Sequence, residues 1–145
     1  MIVVTGGAGF IGSALIAALN KRKIKDILVV DRLGSDQRWK NLRRLSYADY
    51  IDKEDFIEAI RSNSFGWKAK AVFHLGACSD TTEEDASYLV KNNYQYTKHL
   101  AQWAANADIQ FIYASSAATY GDGSEGFRDD IENIESLRPL NMYGY

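Results

Sequence analysis

Four glycines fall within one seven-residue stretch: Gly6, Gly7, Gly9 and Gly12. They lie in Thr5-Gly6-Gly7-Ala8-Gly9-Phe10-Ile11-Gly12, after the β-branched run Ile2-Val3-Val4 and before a helix-like stripe. A turn without side chains lets an anion approach the backbone. The helix that follows offers unpaired N–H groups and the positive end of its dipole. Gly7-x-Gly9-x-x-Gly12 fits the general pattern for a dinucleotide diphosphate, and Gly6-x-x-Gly9-x-x-Gly12 fits a second one. Asp31 closes the next apolar run 19 positions after Gly12, near the spacing at which a carboxylate accepts the ribose hydroxyls of NAD. Arg32 and Arg38 follow it, and guanidinium groups suit a 2′-phosphate, so the expected cofactor is NADP, with NAD as the alternative.

Ser115 and Ser116 follow the run Gln110 to Ala114, and Tyr143 stands near the last residue of the chain. A serine beyond the carboxyl end of a strand can face a reacting centre. A tyrosine can act as acid or base where a nearby cation lowers its pKa. Other residues invite blander readings. Cys78 is expected to be a small buried residue. His74 ends an apolar run and reads as a core histidine with its hydrogen bonds met, and His99 as a residue on a helix surface. Tyr88, Tyr94, Tyr96 and Trp103 read as packing, and Asp129, Asp130, Glu132 and Glu135 as solvated. No metal-ligand spacing is present in the sequence.

These residues need elements to position them. Strands are predicted at Ile2–Val4, Ile27–Val30, Ala48–Ile51, Ala71–Leu75 and Gln110–Ala114. Helices are predicted at Phe10–Asn20, with Phe10, Ala14, Leu15, Ala18 and Leu19 on the apolar stripe, and at Lys53–Arg61 behind an Asp52 cap. Glu83–Ala107 reads as one long helix or two pieces. Gly34–Lys40 and Gly121–Leu137 read as loops. Alternating strands and helices predict an α/β fold, a doubly wound parallel sheet (Rossmann fold) that stops after about five strands. With 145 residues, 46% of them hydrophobic, the chain is long enough for one domain with a sizeable core. Its 17 basic and 19 acidic residues leave a net charge of −2, which points away from nucleic acid or an acidic membrane face as a partner. One cysteine excludes an intrachain disulfide and a cysteine zinc site. No apolar run is long enough to cross a bilayer and no basic leader precedes the first strand, so a reduced, cytoplasmic protein is expected.

The glycine pattern, Val72-Phe73-His74-Leu75-Gly76-Ala77 and the YASSAATYG segment together resemble the extended short-chain dehydrogenase/reductase family. Segments ADYIDKEDF, GACSDTTEED, NNYQYTKHL and PLNMYGY resemble the ADP-heptose 6-epimerase branch of its nucleotide-sugar epimerases. That resemblance implies inversion of C6 in ADP-D-glycero-D-manno-heptose, by transient oxidation and re-reduction with a bound nicotinamide cofactor, for lipopolysaccharide core synthesis. Another nucleotide-sugar 4-epimerase or dehydratase is the alternative, and a non-catalytic dinucleotide-sensing module is the alternative of a different class. The resemblance implies Tyr143 as the acid/base of a Tyr-x-x-x-Lys motif and Ser116 as the hydrogen-bond donor to the reacting oxygen. It implies cofactor contacts at Gly6, Gly9, Phe10, Ile11, Gly12, Asp31, Arg32, Arg38, Lys53, Leu75, Gly76, Ala77, Cys78, Ser79 and Asn92, with Asn93 structural. The motif's lysine falls beyond Tyr145. Residues 1–145 are therefore expected to be the cofactor-binding part of a longer, homo-oligomeric protein whose substrate domain lies downstream, and to be inactive alone.

Overall fold

A computed structural model describes residues 1–128 and 130–145, the side chains at 131 and 133 apart. Of the acidic residues discussed above, Asp129 lies outside the described ones. The chain forms two units, residues 1–77 with 95–114 and residues 78–94 with 115–145.

The first unit holds a sheet of five parallel strands: β1 Ile2–Thr5, β2 Ile27–Asp31, β3 Asp49–Asp52, β4 Ala71–His74 and β5 Gln110–Tyr113. Their spatial order is β3-β2-β1-β4-β5. This is the doubly wound arrangement expected from the alternation. Side chains alternate across the pleat, so neighbouring residues feed two cores. Val3, Leu28, Val30 and Val72 pack with Phe56, Ile57, Tyr96 and Leu100, which come from helices α2 (Lys53–Arg61) and α4 (Tyr96–Asn106). Val4, Ile27 and Val29 pack on the other face with Ile16 and Leu19 of helix α1 (Phe10–Lys21).

The cap of α2 forms as predicted: the Asp52 carboxylate accepts from the Glu54 N–H at 2.9 Å. The stripe of α1 follows the prediction only at Leu15, which packs against the core, and at Leu19, which is buried. Gly12, Ile16 and Leu19 are buried, whereas Ala14 and Ala18 are exposed and Phe10 is 87% exposed. The reason is Gly12, which packs directly on the turn backbone and so decides which side of the helix meets the sheet. Residues 34–40 are also not wholly loop, because a 3-10 helix spans Arg38–Leu42.

In the second unit a single helical turn, α3 (Ala86–Leu89), begins where the Asp85 carboxylate accepts from the Tyr88 N–H. It runs into π-helical turns at Val90–Gln95, and the chain continues as α4. The stretch read as one or two helices is thus two α-helices joined by a widened segment, a feature common at functional sites. Glu83 and Glu84 precede it without helical structure. Tyr94 is exposed on it, against the expectation that it packs. The acidic stretch holds a 3-10 helix, Ile131–Ser136.

Helices α1, α2 and α4 end alike. Lys23, Asn63 and Asp108 take positive φ, and the next residue's N–H reaches back to Leu19, Ala59 and Ala104 carbonyls respectively. That is a Schellman ending, in which glycine usually sits at the left-handed position. Lys23 bears the steric cost of its Cβ there. Lys23→Gly is expected to raise the unfolding free energy by about 1 kcal/mol in urea titration; a loss of stability would contradict this account.

Candidate functional site

All five strands end on one edge of the sheet, at Thr5, Asp31, Asp52, His74 and Tyr113. Chain order reverses between β1 and β4, so the crevice beyond their ends is where a doubly wound sheet takes its ligand. The glycine turn lies there. Gly6 has φ +66°, and a Cβ on it would sit 2.8 Å from the Gly76 Cα of the loop after β4. A Cβ on Gly12 would overlap the Gly6 carbonyl oxygen. The turn is closed by Gly9 N–H donating to the Gly6 carbonyl and Ser13 N–H to the Gly9 carbonyl, both at 3.0 Å. Gly9 sits in extended backbone as the cap of α1. Phe10 and Ile11, in the first helical turn, are exposed beside it. The cradle is therefore lined by backbone and by the start of α1, which fits a diphosphate.

The Ala8 peptide, at the middle of the turn, is held at both ends. Its N–H donates to Asp31 Oδ2 at 2.8 Å, and its carbonyl accepts from Asn41 Nδ2 at 2.8 Å. Asp31 is 8% exposed and its Oδ1 accepts from the Arg32 N–H at 2.7 Å. Each carboxylate oxygen keeps a further lone pair, so ribose hydroxyls can still be accepted. The Arg32 side chain is exposed. Arg38 places Nε 2.6 Å from Asp36 Oδ2 and Nη1 3.6 Å from Asp31 Oδ1. Arg38, chiefly through its backbone N–H and then its guanidinium, holds the Asp36 carboxyl below its usual range. Lys53 opens α2 directly after β3, with Nζ 3.5 Å from Glu54 Oε1. Leu75 and Gly76 are tied to β1 through Leu75 N–H on the Thr5 carbonyl and Gly76 N–H on Thr5 Oγ1, both 3.2 Å, and Ala77 is exposed.

The remaining candidates belong to the second unit. Asn93 clamps Cys78 from both sides, accepting from its N–H at 2.9 Å and donating to its carbonyl at 3.0 Å. Asn92 Nδ2 donates to Asn93 Oδ1 at 2.8 Å, and Ser79 is exposed. Ser116 caps a short 3-10 helix, Ala117–Tyr120, by accepting from the Ala118 N–H. Tyr143 is half-buried, and its neighbour Gly144 packs so closely on the Ala118 carbonyl that no Cβ fits between. The segments carrying Ser116 and Tyr143 therefore meet within this unit.

Sequence reasoning missed Asn41, Asp36 and Thr5. Each acts through a hydrogen bond that only the fold defines. His74 is a core histidine as expected: it is 4% exposed, and burial lowers its pKa to about 4. The unfolded chain then binds more protons than the folded one between the ordinary histidine pKa, about 6.5, and about 4. Stability should therefore climb with pH across that window and level off above it. Going from pH 7 to pH 5 is expected to cost about 2 kcal/mol in urea unfolding; equal stability at the two values would contradict the burial of a neutral ring.

The model of the NAD dependent epimerase/dehydratase family matches residues 2–145. The chain is 50% identical over its full length to an ADP-L-glycero-D-manno-heptose-6-epimerase of Nitratidesulfovibrio vulgaris (strain DP4), of which it covers 45%. It is similar in structure to the ADP-L-glycero-D-manno-heptose-6-epimerase of Helicobacter pylori (TM-score 0.78, 29% identity), with 99% of this chain covering 46% of that one. A UDP-glucuronic acid 4-epimerase from Bacillus cereus in complex with NAD is also similar (TM-score 0.73, 27% identity), with 99% of this chain covering 47% of that one.

Proposed function

Because this chain belongs to the NAD dependent epimerase/dehydratase family, we propose that its glycine turn binds a nicotinamide dinucleotide and that the protein carrying it is a nucleotide-sugar epimerase. The observation that carries this reading is the glycine turn in the crevice between β1 and β4, where a Cβ on Gly6 or Gly12 would strike backbone. The substrate we propose, ADP-D-glycero-D-manno-heptose inverted at C6, is the one the sequence resemblance implies, and relatives named ADP-L-glycero-D-manno-heptose-6-epimerase support it.

The residues divide the work. The α1 N-terminus and the turn N–H groups hold the diphosphate. Asp31 accepts from the adenosine ribose. The backbone of Leu75, Gly76 and Ala77 lines the path towards the nicotinamide, with Lys53 as a further contact, and the sequence resemblance gives Cys78, Ser79 and Asn92 cofactor contacts as well. A nicotinamide bound there supplies reversible hydride transfer. Ser116 donates a hydrogen bond to the reacting oxygen, and the Tyr143 phenol takes and returns the hydroxyl proton.

For the cofactor, NAD is the reading we favour over NADP. The family description names NAD, and the Bacillus cereus relative holds it. Arg38, expected to receive a 2′-phosphate, lies instead between Asp36 and Asp31. Calorimetric titration is expected to give NAD a Kd equal to or below that of NADP. A tenfold preference for NADP that Arg38→Ala abolishes would return the 2′-phosphate role to this arginine.

Two further outcomes test the assignment. Gly12→Ala should weaken dinucleotide binding at least about tenfold, because the new Cβ must push the turn apart; unchanged affinity would remove the cradle. The full-length protein should convert ADP-D-glycero-D-manno-heptose to its L-glycero isomer, followed by chromatography. Turnover of a UDP-hexose with no heptose isomer formed would replace this reading with a 4-epimerase, and binding without any turnover would favour a sensor.

A further inference from the structure

Beneath the crevice lies a polar chain that spans three elements. Thr5 Oγ1 stands 2.6 Å from His74 Nδ1, and His74 Nε2 stands 2.8 Å from Thr97 Oγ1. The Gly76 N–H donates to Thr5 Oγ1 at 3.2 Å. Thr5 and His74 are register partners at the ends of β1 and β4, and Thr97 is in the first turn of α4. The imidazole lies nearly parallel to the rings of Tyr96 and Phe111, with centroids 5.8 and 6.0 Å away.

A neutral imidazole has one donor and one acceptor nitrogen, and each threonine hydroxyl has one hydrogen. The proton order therefore runs in one direction along the whole chain. Either Thr5 O–H donates to Nδ1 while Nε2–H donates to Thr97, or Nδ1–H donates to Thr5 while Thr97 O–H donates to Nε2. In both cases a lone pair of Thr5 Oγ1 is left to receive the Gly76 N–H. That bond fixes the loop after β4 where a Cβ on Gly76 would lie 3.0 Å from the Gly6 nitrogen. At Gly6 and Gly76 the two loops approach backbone to backbone, with no room for a Cβ on Gly6, so a shift of one loop there must move the other.

We propose that Thr5, His74 and Thr97 are positioning residues that set the spacing between the glycine turn and the Leu75–Ala77 loop, and through it the affinity for a ligand that spans both. This rests on the dinucleotide reading above. A ligand confined to the adenosine half meets Asp31 and the turn, not Gly76. The chain should therefore matter to NAD and not to AMP.

The test is calorimetric titration of the purified protein with NAD and with AMP. Each variant is held well below its own melting temperature, which is measured in parallel. Thr5→Val keeps the shape and removes the hydroxyl, and is expected to weaken NAD about fivefold, as for one neutral hydrogen bond, while AMP stays within about twofold. Thr5→Ser restores the hydroxyl and should recover NAD affinity. Thr97→Val, remote from both loops, should show the same selective loss in smaller degree and serves if Thr5→Val does not fold. Equal losses for NAD and AMP, no loss for NAD, or no recovery with serine would overturn the proposal. Unmodified protein that binds neither nucleotide would overturn the dinucleotide reading itself; unmodified protein that binds NAD, with Thr5→Val binding it as well, would overturn only the positioning chain.

Discussion

Between β1 and α1 the backbone folds onto itself with nothing but hydrogen atoms in the gap. The Gly6 carbonyl oxygen occupies the space where any larger residue at position 12 would put its Cβ, and the Gly6 Cα faces the Gly76 backbone across van der Waals contact. Much of the first unit is ordered around this close approach. It sets the rotation of α1, which turns Ile16 and Leu19 to the sheet and leaves Phe10 outside. It brings the loops after β1 and β4 together at the one place where the chain changes direction across the sheet. A side chain at either glycine would move a helix, a loop or both.

The turn is anchored to the core by groups that are costly to bury alone. Asp31 is nearly sealed off, and its carboxylate is matched by two backbone N–H groups with the Arg38 guanidinium close by. Such a carboxylate is tolerable because each oxygen has a donor. The same holds for His74, whose two nitrogens each face a threonine hydroxyl. Polar groups at the strand ends thus serve as pegs: they cost little in the folded state and fix the geometry of what lies above them.

Much of this was legible from the order of residues. β-branched runs closed by Thr5, Asp31 and His74 mark strands, because buried parallel strands have few other sequences open to them. The glycine spacing and Asp31 mark the ligand edge for the same reason. What the sequence concealed is long-range pairing. Asn41 lies 33 positions from the Ala8 carbonyl it binds, and Thr97 lies 23 from His74. The partner of Arg38 was hidden for another reason: an arginine near Asp31 could equally face a phosphate, and only the local turn shows Asp36 beside it. The widening at Val90–Gln95 was not legible either: the stretch around it has too few apolar residues to reveal a shift of phase, and it read only as one long helix or two pieces.

Every chemistry-bearing segment of the first unit leaves the sheet on the same side. The opposite rim carries the amino terminus and the exits of α1, α2 and α4, with their exposed left-handed residues Lys23, Asn63 and Asp108. Their backbone groups are satisfied within the helix endings themselves. This rim is where the polypeptide could be opened and rejoined, as in a circular permutation, or could accept an inserted domain. Descendants of this fold can therefore be remodelled from beneath while the ligand-facing side keeps its atoms in place.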